Sequence, residues 1–185
     1  MTEDPFARFD RASAVAERTI AGVKPDQLGD PTPCTEWSVR QLINHVVTGS
    51  LSFASLVTGG PRPDRSQDHL GEDPLGAFRT AARDLRAAFL AEGAMERTYP
   101  TPFGEGPGHV LVTMRTIEMT VHSWDIAKAT GQSTELDPEL AQWALRSMRA
   151  DLPADRSGTP FSDERPAPAN ATAADQLAAF AGRAG

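Results

Sequence analysis

The chain has 185 residues, of which 39% are hydrophobic and 23% charged, and its formal net charge is −7. This composition predicts one soluble globular domain, and an acidic chain without a basic block is unsuited to binding nucleic acid. A single cysteine excludes an internal disulfide and a cysteine-rich zinc site. Because no apolar run is long enough to span a membrane and no signal peptide is visible, we expect a cytoplasmic protein.

Apolar residues that recur at spacings of three and four predict four long helices. Ser38 is a good N-cap residue, and Gln41 follows at the spacing of a capping box. Asp73 and Pro74 have the residue types of an N-cap and a first helical position. Residues 94–108 are predicted to be irregular, with a short extended piece at 97–101. The four long helices are predicted at residues 4–23, 38–58, 73–93 and 109–129.

Past the fourth helix, the sequence predicts a shorter helix and a loosely packed tail. Asp137 and Pro138 open a helix that runs to about Arg149. Residues 151–172 are rich in Pro, Ala, Asp and Ser, and residues 173–182 predict a short final helix. The expected fold is an all-α four-helix bundle, formed by residues 1–150, with residues 151–185 as an extension packing on the same domain.

The fourth helix carries ionisable residues on the side that is expected to be buried. On a helical wheel at about 100° per residue, its apolar arc is centred on Glu118, with His122 and Asp125 close by. A buried carboxylate needs a partner charge or a metal ion. Arg115 is one candidate partner, and a metal ion is the other. The apolar members of the arc are Val110, Leu111, Met114, Val121 and Ile126.

A metal ion suits this arrangement because Glu118 and His122 are four residues apart and lie on adjacent turns. A third ligand has to come from another helix, and His45 is better placed than His69 in a polar loop or His109 at a helix start. Periodicity alone, however, places His45 at the edge of its apolar arc, which is typical of a partly exposed residue.

Two further residues have open roles at this point. Asp125 is either an acceptor for a neighbouring side chain or a functional partner of a metal-bound histidine. Cys34 has no basic neighbour in the sequence. We therefore expect it to act as a small buried hydrophobic residue rather than as a nucleophile.

Two segments resemble one family of metalloenzymes. Residues 32–45, TPCTEWSVRQLINH, resemble the TPC-x-x-W-(S/T)-V-x-x-L-x-x-H segment of the mycothiol-dependent maleylpyruvate isomerase N-terminal domain, within the DinB/YfiT-like superfamily. Residues 118–131, EMTVHSWDIAKATG, resemble its second motif, E-x-x-x-H-x-W-D-x-A-x-A-x-G. Residues 161–182 are similar to the end of a short actinobacterial branch of this family.

The resemblance implies a DinB-like bundle that holds a divalent metal ion through His45, Glu118 and His122. Zinc is the first expectation, with nickel, iron and manganese as alternatives. Two histidines and one carboxylate leave a coordination position open, as in catalytic sites. The resemblance further implies that the ion binds the thiol mycothiol and that Asp125 orients His122 or accepts a proton. Trp37 and Arg40 would position an anionic or sugar-bearing partner.

The implied activity is that of a metal-dependent thiol transferase or isomerase, which joins a mycothiol thiolate to a small electrophile. The alternatives are a non-catalytic stress or small-molecule-binding bundle with a vestigial metal site, and a metal-dependent hydrolase. Maleylpyruvate isomerases of this type carry an additional C-terminal domain, for which 185 residues leave no room. We therefore do not expect maleylpyruvate itself as the substrate. The resemblance also favours a homodimer.

Overall fold

The structure is a computed structural model that describes residues 4–102, 104–152, 156 and 161–183. It confirms the predicted all-α fold. Strands β1 (Thr98–Thr101) and β2 (Gly104–Pro107) form a small antiparallel hairpin, and a 3₁₀ turn covers Pro25–Gln27. The helices are α1 (Pro5–Ala21), α2 (Val39–Thr58), α3 (Pro74–Phe89), α4 (Gly108–Ala129), α5 (Pro138–Asp151) and α6 (Ala173–Phe180).

The predicted starts of α2, α3 and α5 are correct because each depends on a local cap. The Ser38 and Gln41 side chains form the expected capping box at the start of α2. Asp73 and Asp137 each accept a hydrogen bond from a backbone N–H in the first turn of α3 and α5, and a proline follows each of them. The sequence therefore fixes where these helices begin without reference to the rest of the fold.

Two predictions for the segment between α3 and α4 are wrong, the end of α3 and the conformation of residues 104–107. Helix α3 was predicted to end near Gly93 but ends at Phe89. Gly93 has a positive φ of 70° and belongs to a separate turn after the helix. The extended piece at 97–101 is present as β1, but residues 104–107 were predicted to be irregular and form β2. Glycine and proline have low strand propensity, so pairing with β1 defines this strand rather than its own residues.

Helix α4 lies in the middle of the molecule and is buried on almost every side. It packs with α1, α2 and α3 around one apolar core and with α5 and α6 around a second. Its threonine-rich side is buried as well. The hydroxyls of Thr116, Thr120 and Ser123 each donate to the carbonyl four residues earlier, which satisfies them without water.

The C-terminal segment returns to the bundle. Residues 163–170 are exposed, whereas α6 buries Leu177 and Phe180 against α4 and α5. Residues 153–155 and 157–160 of the predicted tail lie outside the described residues. Within the described part of the chain, no helix combines the length and hydrophobicity that a membrane span requires.

Asp137 joins the N-terminus of α5 to α1, and this link predicts a pH-dependent stability. The Asp137 carboxylate accepts from the Leu140 N–H at 3.0 Å and pairs with the Arg11 guanidinium at 2.6 Å. Burial opposes ionisation, but these hydrogen bonds outweigh it and hold the pKa of Asp137 below its usual value. The contribution to stability is therefore present above the usual Asp pKa and is lost as the pH falls through the lowered one.

We expect D137A to cost about 1–2 kcal/mol at pH 7, because it removes the cap and the ion pair together. D137N keeps a good N-cap and should cost about 0.5 kcal/mol. Urea unfolding between pH 7 and pH 3 measures the free energy of unfolding of the wild type and of both variants. The difference between wild type and D137N should shrink below about pH 4. A difference that is equally large at pH 3 would mean that the charge of Asp137 is not what stabilises the protein.

Candidate metal centre

The fold brings the three predicted ligands together between α2 and α4. One donor atom from each of His45, Glu118 and His122 lies within 4.8 Å of the other two. His45 Nε2 is 2.9 Å from Glu118 Oε1, and the two imidazole rings are 5.1 Å apart and nearly perpendicular. Of the other histidines, His69 bonds to the Asp64 carbonyl in its own loop and His109 is exposed. Neither is part of this cluster.

Glu118 is ionised in this environment. Burial would raise its pKa, but the Arg115 guanidinium and His45 outweigh burial and hold the pKa of Glu118 well below its usual value. Arg115 Nη1 donates to Glu118 Oε2 at 2.5 Å, while His45 faces Oε1. The carboxylate thus has one oxygen bound by Arg115 and the other directed to the two histidines.

Arg115 is itself held by α2, and its side chain is completely buried. Its Nη2 donates to the Val46 carbonyl and to Ser50 Oγ, both at 3.0 Å. A Cβ atom at Gly49 would lie 2.4 Å from Arg115 Nη1. The glycine is therefore needed for the guanidinium to approach α2. From the sequence, Arg115 was a candidate partner only in place of a metal ion, whereas the structure places it at the same carboxylate as the predicted ligands.

His122 is buried, and Asp125 lies one turn further along α4. The two side chains are hydrogen-bonded, with 3.0 Å between His122 Nδ1 and Asp125 Oδ2. Burial lowers the pKa of His122 below its usual value, although Asp125 acts in the opposite direction. A neutral imidazole that donates from Nδ1 keeps Nε2 unprotonated, which is the form that binds metal ions.

Arg183, which no sequence pattern singled out, is the second partner of Asp125. The Arg183 guanidinium donates to both carboxylate oxygens of Asp125, with Nη2 at 3.0 Å from Oδ2. Burial opposes ionisation of Asp125, but His122 and Arg183 outweigh it and hold the pKa of Asp125 below its usual value. No spacing links two residues so far apart in the chain, so no sequence signal could have shown this contact.

Trp37 and Arg40 lie at the opening of the site. The Trp37 ring stacks on His45, with centroids 4.2 Å apart and planes at 25°. Arg40 donates to Asp68 and to the Gly71 carbonyl in the loop before α3. Both residues line a cavity of about 590 Å³ next to His45, and its other lining residues are Gln41, Asn44, Thr48, Arg65, Ser66, Gln67 and Asp68. The cavity is thus largely polar.

Cys34 has neighbours that the sequence did not reveal. The expectation that no basic group lies close to it is wrong, because the fold brings its sulfur within 4.8 Å of donor atoms on His122 and Asp125. Burial raises the pKa of the Cys34 thiol, and the nearby Arg183 charge only partly opposes this. The thiol is therefore protonated at neutral pH, which argues against a nucleophile.

Comparison with protein families gives one match over most of the chain. The model of the family described as "Mycothiol maleylpyruvate isomerase N-terminal domain" matches residues 9–127. Two curated relatives from Mycobacterium tuberculosis, strains H37Rv and CDC 1551 / Oshkosh, are each 43% identical over 182 residues. These matches cover 97% of this chain and 98% of each relative, and both relatives are described as uncharacterised proteins.

Two solved structures share the fold. One is the crystal structure of the mycothiol-dependent maleylpyruvate isomerase, with a TM-score of 0.64 and 18% sequence identity. The other is a histidine-to-alanine mutant of that enzyme, with a TM-score of 0.62 and 19% identity. Each match covers 82% of this chain and 72% of the solved chain. At this identity, the likeness establishes the fold of the bundle.

Proposed function

The chain belongs to the mycothiol maleylpyruvate isomerase N-terminal domain family, and on this basis we propose that it is a metal-dependent thiol transferase or isomerase. Its thiol co-substrate would be mycothiol or a related thiol, and its second substrate a small electrophile. One observation carries this proposal: the donor atoms of His45, Glu118 and His122 converge beside a polar cavity.

The donor set suits a first-row divalent ion, with zinc as the first choice. Two imidazoles and one ionised carboxylate are the ligand types of catalytic zinc sites, and three protein ligands leave a position for a substrate. A bound ion would supply positive charge that lowers the pKa of a thiol and favours the thiolate at neutral pH. Glu118 and His122 come from one helix and His45 from another, so the packing of α2 on α4 assembles the site.

The surrounding residues orient these donors. Arg115 holds Glu118 Oε2, which leaves Oε1 directed toward the histidines. Asp125 accepts from His122 Nδ1 and fixes that ring. Because Asp125 is completely buried and bonded to His122 and Arg183, we assign it an orienting role in preference to that of a proton acceptor.

The cavity would hold the rest of the thiol. Arg40 and Asn44 place N–H groups at its wall, and each side chain also bonds to the loop before α3. Trp37 closes the side next to His45. Hydroxyl-rich and anionic groups are bound by such donors. In the expected reaction the thiol loses its proton and its sulfur forms a bond to an electrophilic carbon of the substrate. The displaced electron pair leaves with a leaving group or, where the substrate is an activated double bond, takes up a proton at the adjacent carbon.

One contact favours a second candidate, a non-catalytic bundle with a vestigial site. Arg115 already balances the charge of Glu118 through a direct ion pair. The Glu118 side chain is also 25% exposed, so this ion pair together with solvent can balance its charge without a metal ion. The thiol-transfer proposal therefore depends on a measurement of metal and thiol binding.

The decisive experiment measures metal content and thiol binding in the same preparation. We expect about one zinc ion per chain after loading. Calorimetry should detect tighter binding of mycothiol than of S-methyl mycothiol, which has the same sugar for the cavity but no ionisable sulfur for the metal ion. Metal without thiol binding would favour the non-catalytic bundle, and turnover of an electrophile without added thiol would indicate a hydrolase. A protein that binds no divalent ion would rule out the proposal.

Arg40→Ala tests the cavity. Loss of one cavity contact should raise the KM for mycothiol about tenfold and leave kcat nearly unchanged, because the contact is the same in the ground and transition states. The readout is thiol-dependent consumption of a fluorogenic haloalkane. Arg83→Ala is the matched control, since Arg83 is an exposed residue of α3 paired with Asp84. An equal KM change in both variants would argue against the cavity as the thiol site.

A further inference from the structure

We propose that Arg183 is a positioning residue of the metal centre. It reaches the centre from the C-terminal segment and binds Asp125, which in turn orients His122. The inference rests on the proposed function in that the site binds a divalent ion. It concerns a residue that lies outside the part of the chain matched by the family model.

The contact is buried and involves several hydrogen bonds. Asp125 is fully buried, and the Arg183 side chain is 9% exposed. Arg183 Nε lies 3.1 Å from Asp125 Oδ1, and Nη2 lies 3.0 Å from Oδ2. Since Oδ2 also accepts from His122 Nδ1, the guanidinium and the imidazole share one oxygen. The rotation of the Asp125 carboxylate is therefore fixed by Arg183, and its orientation determines which way His122 faces.

The end of α6 is built to direct Arg183 toward α4. Gly182 has a φ of 87°, which is costly for any residue with a Cβ atom. The Gly182 N–H donates to the Ala179 carbonyl and the Arg183 N–H to the Ala178 carbonyl, both at 3.0 Å. This is the hydrogen-bond pattern of a Schellman motif. Arg183 Nη1 also donates to the Ala181 carbonyl, so its guanidinium is tied to its own turn.

The start of α6 is attached to the same part of α4. The Thr172 and Asp175 side chains form a capping box, and Asp175 Oδ1 accepts from Trp124 Nε1 at 2.8 Å. The two ends of α6 therefore bind Trp124 and Asp125, which are consecutive residues. A segment attached at only one point could pivot, whereas two attachments fix where Arg183 lies.

A structural role alone makes a different prediction from a positioning role. If Arg183 only neutralised a buried charge, its loss would lower stability and leave the imidazole of His122 unchanged. If it positions Asp125, its loss should change the tautomer of His122 in the metal-free protein and weaken metal binding. Partners of metal-bound histidines typically change metal affinity about 10–100-fold when they are mutated.

The test compares Arg183→Met and Arg183→Lys with the control Arg149→Met. Arg149 lies over the Phe180 ring of the same helix α6, but it faces the surface and pairs with Glu164. Nitrogen-15 NMR of the metal-free proteins reports the His122 tautomer, and competition with a chelator reports zinc affinity. We expect one Nδ1-protonated form in the wild type and in R149M. In R183M we expect a tautomer mixture and about tenfold weaker zinc binding, with partial recovery in R183K.

Gly182→Ala covers the case in which R183M does not fold, because it keeps the guanidinium and disturbs the turn that directs it, together with Ser162, whose Cβ would lie 2.6 Å from the new methyl group. It should shift the tautomer in the same direction as R183M. Wild-type tautomer and zinc affinity in folded R183M and G182A would overturn the inference. A wild type that binds no zinc would contradict the proposed function instead, and the tautomer measurement on metal-free protein would still decide the role of Arg183.

Discussion

Replacement of His122 by alanine is expected to lower the zinc affinity more than about 100-fold, because loss of an orienting partner alone costs about 10–100-fold. His122 is buried beside Glu118 and His45, so no other histidine of the described residues can take its place. Chelator competition measures the affinity. His109→Ala is the matched control, since His109 is exposed in the first turn of the same helix.

The effect of zinc on the Tm of the same variants provides a second measurement. A ligand present at 100 times its Kd stabilises the folded state by about 2.7 kcal/mol, so zinc should raise the Tm of the wild type and of H109A. H122A should show no zinc-dependent rise. An unchanged Tm increase in H122A would place the ion elsewhere in the molecule.

His45→Ala and Cys34→Ala then separate the two donor clusters that share His122. Donor atoms of Cys34, His122 and Asp125 also lie within 4.8 Å of one another. We expect H45A to lose zinc binding and C34A to retain it, because Asp125 is already bonded to Arg183 and the Cys34 thiol has a raised pKa. The reverse result would assign the ion to the cysteine cluster.

The parts of the site that lie on one helix could be predicted from the sequence. Glu118, His122 and Asp125 are at spacings of three and four, and helical geometry alone places such residues on one face. The helix starts at Ser38, Asp73 and Asp137 depend on similarly local contacts. Local rules therefore predicted both the main elements and half of the site.

The contacts between elements could not be derived in this way. Periodicity left His45 as a partly exposed residue, and only the resemblance to a family pointed to it as a ligand. The side chain of His45 is indeed 25% exposed, because it lines a cavity. Arg183 and Asp125 meet through the return of α6 to α4, which follows from the packing of the C-terminal segment and from no repeat or motif.

Arg115→Met is expected to destabilise the protein by about 3 kcal/mol, since it removes a completely buried guanidinium and leaves the partly buried Glu118 without its ion-pair partner. For a chain of this size, that corresponds to a fall in Tm of about 10 °C. Arg115 is completely buried, and its loss also frees Ser50 Oγ and the Val46 carbonyl. Arg83→Met on the exposed face of α3 should change stability by less than about 0.5 kcal/mol. A similar effect of both variants would contradict the role of the ion pair.

Gly49→Ala provides a sharper test of the same contact, because whether the substitution stabilises or destabilises the protein depends on Arg115. Alanine in a helix interior is normally more stable than glycine by about 1 kcal/mol. Here the new Cβ atom would lie 2.4 Å from Arg115 Nη1, so the guanidinium has to leave Glu118 and G49A should be destabilising. In an R115M background this conflict is absent, and the same substitution should be neutral or stabilising. Denaturant unfolding of the two single variants and the double variant measures this coupling directly. Additive effects would show that Gly49 does not make room for Arg115 at the carboxylate.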